Sequence, residues 1–273
     1  MTCDDPSKAE YRGFRFPQLI SEMHLRDWKA ILHTLHNAPT DAAFYREVLA
    51  VPWDTSDKLL SEDLLRACCD DTPMYLECPE RYQQYPKFAG LDYGRSIRSY
   101  TLFLIGCRIG KLFKVLYMKR FRGAEAKPSI YLEHVKEMFG KFDVVAIGCD
   151  SGDAHAQNFD LADSLGAHRV NVFFACNPTS KILWFDEKTN EYHFNRTRMM
   201  SLRAREIKHR LIRFPSWEYF QEFAPDFLTI TVDYTRHDQV AYYDHEPDVP
   251  DDAFHALNYA VMSSDIAGGY LMF

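Results

Sequence analysis

Three carboxylates and one imidazole stand where they could share a reaction. Lys87 to Asp92 is an apolar run ending on an acid close to the turn glycine Gly94, and Val144 to Asp150 is a second such run, also ending on an acid. Near the C-terminus, Pro250-Asp251-Asp252-Ala253-Phe254-His255 opens a helix, and Asp252 and His255, three residues apart, share one of its faces. A carboxylate at the end of a buried strand carries a large desolvation cost unless a cation or a donor meets it. Three such groups together repel one another, and hard divalent ions are their natural occupants. Two ions about 4 Å apart would support in-line hydrolysis of a phosphodiester, one activating the attacking water and the other steadying the leaving 3′ oxygen. Each residue also has an ordinary explanation: Asp92 as a turn aspartate, Asp150 as the cap of the helix after it, Asp251 and Asp252 as partners of their helix dipole, and His255 as a partly buried histidine. Their joint occurrence in this order points to a site.

The elements that would position these residues follow from hydrophobic spacing. Strand patterns at 87–92, 99–107 and 111–121, the last two joined by the turn Arg108-Ile109-Gly110-Lys111, predict an antiparallel meander. A helix over 128–139, a central strand over 144–150, a helix over 153–165 closed by Gly166, and a strand over 170–175 come next. Runs at 181–186 and 191–194 predict a hairpin, 197–211 a long basic helix, 227–232 a strand, and 250–262 a final helix. Three strands, helix, strand, helix, strand and final helix is the order of the ribonuclease H-like fold, an α/β architecture with a mixed central sheet flanked by helices. In that fold the ends of the strands carrying Asp92 and Asp150 are neighbours, and the last helix begins beside them. Residues 1–85 read as short helices and loops, at 28–36, 42–49 and 61–69 with Ser61 as N-cap, leading into a domain over 86–273.

The chain resembles the nuclease portion of a large terminase subunit, the motor-nuclease that packages DNA into tailed bacteriophage heads. The resemblance rests on Ala89-Gly90-Leu91-Asp92-Tyr93-Gly94, Ile147-Gly148-Cys149-Asp150-Ser151-Gly152, Asn195-Arg196-Thr197 and Asp251-Asp252-Ala253-Phe254-His255-Ala256-Leu257-Asn258-Tyr259-Ala260. Phe44 to Pro52 is similar to the segment preceding the nuclease in that family. Many members begin the last helix with Asp-His and place an Asp three residues on; here those positions hold Asp252 and His255. The change keeps one carboxylate and one imidazole on the same face, and leaves Asp251, Asp252 and His255 as alternatives for the third ligand, with Asp252 favoured. The resemblance implies a Mg²⁺- or Mn²⁺-dependent endonuclease, with two ions, that cuts concatemeric viral DNA with little sequence preference. It further implies action in the host cytoplasm alongside an ATPase domain, a portal and a small terminase subunit. A phosphate-cradling loop for that ATPase would end in Gly-Lys-Ser or Gly-Lys-Thr. The nearest match, Gly106-Cys107-Arg108-Ile109-Gly110-Lys111-Leu112, is one residue short, lacks the hydroxyl and falls in the expected hairpin. The ATPase half is therefore expected to lie elsewhere, this chain being a fragment or a separate gene product. A resolvase- or transposase-type nuclease, and a non-catalytic docking module of the packaging motor, are the alternatives.

Composition sets limits on all of this. A net charge of −7 excludes a protein that coats nucleic acid by bulk electrostatics, so DNA contacts must be local. Lys119, Arg120 and Arg122 cluster on one hairpin and Arg196, Arg198 and Arg203 on the basic helix, and these six are the candidate phosphate contacts. Seven cysteines without a Cys-x-x-Cys pair favour reduced thiols over a disulfide or zinc framework. The N-terminus lacks the charge and apolar regions of a signal peptide and no window is apolar enough to span a membrane, so a soluble intracellular chain is expected.

Overall fold

The computed structural model describes residues 28–29, 31, 59–94, 100–152, 154–176, 181–234, 241–245 and 250–269. Trp28, Lys29 and Ile31 are helical, while the rest of the expected helices at 28–36 and 42–49 lies outside the described residues. Met1–Ser56 and Asp57–Phe273 form separate compact units. In the second unit the elements are α1 (Glu62–Cys68), β1 (Lys87–Asp92), β2 (Thr101–Ile109), β3 (Leu112–Phe121), α2 (Pro128–Lys141), β4 (Val144–Asp150), α3 (His155–Leu165) and β5 (Val170–Cys176). Then follow β6 (Leu183–Asp186), β7 (Glu191–Asn195), α4 (Arg196–Lys208), β8 (Ile212–Arg213), α5 (Trp217–Phe220), α6 (Pro225–Leu228), β9 (Ile230–Tyr234), β10 (Ala241–His245) and α7 (Asp252–Gly268). No helix among the described residues is long and apolar enough to cross a membrane.

One sheet has the strand order β6-β7-β5-β4-β1-β2-β3-β8; β9 and β10 pair separately. Strands β1, β2 and β3 form the antiparallel meander, turned at Gly110 with φ of 59°, and β4 and β5 run parallel to β1. The inner order β3-β2-β1-β4-β5 with only β2 reversed defines a ribonuclease H-like α/β fold.

Alternation along the strands sends each residue set to one of two cores. Ala89, Leu91, Ile105, Ile147 and Cys149 face α2 and α3, which contribute Leu132, Val135, Phe139 and Leu161. Phe88, Leu102, Leu104 and Ala146 face α7, which contributes Ala253, Ala256, Leu257 and Ala260. Helix α7 lies across β1, β2 and β4 at a distance that only glycine permits. A Cβ on Gly90 would stand 1.8 Å from the Ala256 carbonyl oxygen, and one on Gly148 would stand 2.4 Å from that of Tyr259.

The segment just before β1 packs into the same core as the strands that follow. Leu59, Leu60, Leu65 and Cys68 pack with the α7 side, and buried Lys114 on β3 reaches both Asp70 (2.5 Å) and the Phe214 carbonyl (2.8 Å). The strand expected at 227–232 begins only at Ile230: Pro225 starts the short helix α6, and Phe227 packs edge-on against Phe214, Phe220 and Phe254. The basic helix ends at Lys208 and not Leu211, since Arg210 takes a left-handed backbone with φ of 57°.

Candidate active site

Asp92 and Asp150 are the last residues of β1 and β4, which are parallel neighbours whose final register pair is Leu91 with Cys149. The two aspartates come next in that register, on strands about 4.8 Å apart, and by alternation both face α7. Each stands two residues beyond one of the glycines that let α7 settle on the sheet, Gly90 for Asp92 and Gly148 for Asp150. Tyr259 of α7 donates its O–H to Asp150 Oδ1 (3.3 Å), and its ring stacks on Phe173 of β5. Asp150 does not cap the following helix, which begins at His155 with Ala154 in the cap position.

Asp252, the first residue of α7, is buried, and its Oδ2 accepts the Tyr100 amide N–H (2.9 Å). Tyr100 sits two residues before Leu102, the β2 partner of Asp92, so Asp252 is fastened to the same end of the sheet. Asp251 faces His255, with Oδ2 2.9 Å from Nε2, and lies 3.9 Å from Arg196. The His255 ring stacks on Tyr259, and its Nδ1 is buried with no hydrogen-bond partner among the described residues. The chain thus brings Asp92, Asp150 and Asp252 to one face and one end of the sheet, with the Asp251–His255 pair alongside. Among the described residues no three Asp, Glu, His or Cys side chains converge closely enough to enclose a metal ion. The set is aligned but not closed, and its hard carboxylate oxygens are the donor chemistry that Mg²⁺ and Mn²⁺ take.

Asp226, absent from the sequence-based candidates, is fully buried beneath this end of α7. Its Oδ2 accepts the Ala253 amide N–H (2.8 Å) and its Oδ1 the Arg120 guanidinium (2.5 Å), so it caps the helix from α6, a remote element. The only sequence trace is an acid after Pro225, the signature of a helix start. Burial pushes the Asp226 carboxyl up to about 6 against the opposing pull of Arg120 and the Ala253 amide. Burial likewise pushes Asp252 up to about 7, with Asp226 and Asp251 adding to the rise and the Tyr100 amide and Arg120 opposing it.

A pH dependence follows from these two raised values. Both carboxyls keep their protons to higher pH in the folded chain than in the unfolded one. The stability this contributes is fully present below the ordinary value of 3.8 and is lost as pH rises through about 6 for Asp226 and about 7 for Asp252. The metal-free protein is expected to melt several degrees lower at about pH 8 than at about pH 5, each kcal/mol being worth roughly 2–4 °C. Asp252→Asn flattens the upper part of that slope. Thermal melts across the range in chelator check this; a melting temperature that climbs from pH 5 to 8 would contradict it.

Two expected DNA contacts are corrected. Arg120 is withdrawn from the surface: its side chain is 7% exposed, paired with Asp226 and set over the rings of Tyr100 and Phe223. Arg203 is 0% exposed, because Met199, Met200, Arg203, Ala204 and Ile207 form the buried stripe of α4. Its guanidinium meets Asn258 (3.2 Å), Glu206 (2.5 Å) and Asp265 (3.7 Å). Arg122 and Arg198 are exposed, Lys119 is partly exposed beside Glu125 (3.0 Å), and Arg196 is partly exposed. Arg122 lies over the ring of Tyr100, whose amide meets Asp252, and Arg196 lies near Asp251, so both arginines stand close to the start of α7.

The fold and site define a ribonuclease H-like domain with acids gathered at the ends of β1, β4 and the start of α7. No protein-family profile and no curated protein sequence matches the chain. Solved structures to which it is similar include the large terminase nuclease from thermophilic phage G20c with bound magnesium, at 12% identity and a TM-score of 0.49, covering 73% of this chain and 96% of that one. The nuclease domain of the large terminase g2p from bacteriophage SPP1, with bound manganese, is similar at 11% identity and a TM-score of 0.45, covering 73% and 98%. The HK97 bacteriophage large terminase is similar at 12% identity and a TM-score of 0.49; the match covers 88% of this chain and 50% of that one.

Proposed function

We propose that the chain is a divalent-metal-dependent DNA endonuclease of the terminase type, cutting concatemeric viral DNA during genome packaging in the host cytoplasm. One observation carries this reading: two Gly-x-Asp strand ends lie side by side beneath the first turns of a helix that adds a third carboxylate, Asp252, which is buried. Asp92 and Asp150 would hold the cation or cation pair, with Asp252 as the third ligand once it releases the Tyr100 amide. A bound Mg²⁺ or Mn²⁺ supplies activation of the attacking water and neutralises charge on the leaving 3′ oxygen. The chain's own residues do the rest. Tyr259 orients Asp150 through its O–H, and Asp251 orients His255 on the first turns of α7. Arg122, Arg196, Arg198 and Lys119 would meet phosphates of double-stranded DNA, giving affinity without sequence preference. An ATPase domain, a portal and a small terminase subunit are the partners this role requires.

Incubating supercoiled plasmid with the protein in Mn²⁺, in Mg²⁺ and in chelator tests the proposal. Nicked and linear products are expected with the metals and none with chelator. The hydrogen bond that ties Asp252 to Tyr100 favours a second reading, a docking module whose acids are structural. Intact plasmid under every condition, with no Mn²⁺ bound, would select that reading; intact plasmid with Mn²⁺ bound would point to a site completed only by the ATPase half.

A further inference from the structure

We propose that Tyr93 and Asn158 form a crossbar that fixes the separation of the Asp92 and Asp150 carboxylates, making both positioning residues of the site; this rests on the nuclease reading above. The β1–β4 ladder ends at Leu91 and Cys149, one residue short of the two aspartates. Beyond that point each acid is secured on its outer side, Asp92 opposite Leu102 of β2 and Asp150 opposite Phe173 of β5. The space between them is bridged by side chains on the opposite face of the sheet. Tyr93, immediately after Asp92, donates its O–H to Asn158 Oδ1 (2.8 Å), and Asn158 Nδ2 donates to the Asp150 main-chain carbonyl (2.9 Å).

The amide orientation follows from chemistry: the Asp150 carbonyl can only accept, so Nδ2 must face it, leaving Oδ1 for the tyrosine O–H. Tyr93 and Asn158 are both buried, so a polar atom here that lost its partner would not be rescued by bulk water. The bridge is anchored at both ends: the Tyr93 ring packs near Tyr131, and the Asn158 main-chain N–H donates to the carbonyl of Ala154, the cap residue of α3 (2.9 Å). It therefore couples the backbone just after one acid to the backbone of the other without touching either carboxylate. Ligand geometry has to hold to within about half an ångström, and supporting hydrogen bonds are what hold it.

Tyr93→Phe removes one O–H and keeps the ring; Asn158→Ala removes the bridge from the α3 side. On the full chain, Mn²⁺ affinity is read from the electron paramagnetic resonance signal of the free ion. Alongside it are measured the Mn²⁺ concentration for half-maximal plasmid cleavage and the melting temperature. Each variant is expected to bind Mn²⁺ about tenfold more weakly and to require correspondingly more ion for cleavage, the scale seen when a ligand's supporting partner is lost. A lower melting temperature with unchanged Mn²⁺ affinity in either folded variant would reduce the bridge to ordinary core structure and overturn the proposal. If the native chain binds Mn²⁺ but cuts nothing, the nuclease reading of the chain alone falls while the crossbar is still decided by the affinities. If the native chain binds no Mn²⁺, both are overturned.

Discussion

Asp92→Asn and Asp150→Asn are each expected to reduce metal-dependent plasmid cleavage by roughly a thousandfold, the loss of about 4 kcal/mol of transition-state stabilisation. Fold should be retained in both. Asparagine keeps the shape of the side chain, and at position 150 it keeps an oxygen that can accept the Tyr259 O–H. At position 92 it keeps the size and shape of a side chain that is only 9% exposed. Melting in chelator should therefore be little changed, and added Mn²⁺ should raise it less than in the native chain. Plasmid cleavage and paired melts with and without metal check this. A variant that melts far below the native protein in chelator, yet cleaves normally, would mean that its aspartate is a structural residue.

The legible part of this site is the part written locally. Val144 to Asp150 is an unbroken apolar run closed by an acid, and Pro250-Asp251-Asp252 marks a helix start, so their residues land where spacing places them. The hairpin of β6 and β7 and the helix closed by Gly166 are equally local. What sequence spacing hid is long-range. Asp226 caps α7 from 27 residues away, and nothing in its neighbourhood names the Ala253 amide as its partner. Arg120 follows a run of buried strand residues and looks like part of a basic cluster until Asp226 is seen beneath it. Arg203 is a different case. Its spacing from Met199, Met200 and Ile207 placed it on the apolar stripe of α4, and counting charges along the helix obscured that. The glycines around Asp92 divide in the same way: Gly94 reads as a turn from its neighbours, whereas the role of Gly90, two residues before the acid, is to seat α7, a helix far along the chain.

That last point carries the largest expected effect on stability. Gly90→Ala would put a methyl group 1.8 Å from the Ala256 carbonyl oxygen and 2.8 Å from the Ala260 amide nitrogen, both backbone atoms of α7 that no rotamer change can move aside. The helix must lift as a body from β1. Overpacking of this kind costs upwards of about 3 kcal/mol, so a melting temperature lower by about 10 °C, or no folded protein, is expected. Gly148→Ala should do less harm: the Tyr259 carbonyl oxygen is 2.4 Å away, but its other close neighbours, at 2.7 Å, are side-chain atoms of Phe173 and Ser263. Gly140→Ala is the control, since its added methyl meets nothing within 4 Å and lies inside α2, where alanine is favoured over glycine by about 0.5–1 kcal/mol. The activity of the folded fraction separates the glycine's two roles. A lifted α7 carries Asp252 and Tyr259 away from Asp92 and Asp150, so cleavage per folded molecule should fall in Gly90→Ala and Gly148→Ala but not in Gly140→Ala. Equal melting temperatures for Gly90→Ala and the native chain would mean that α7 does not rest on β1 as closely as the site requires.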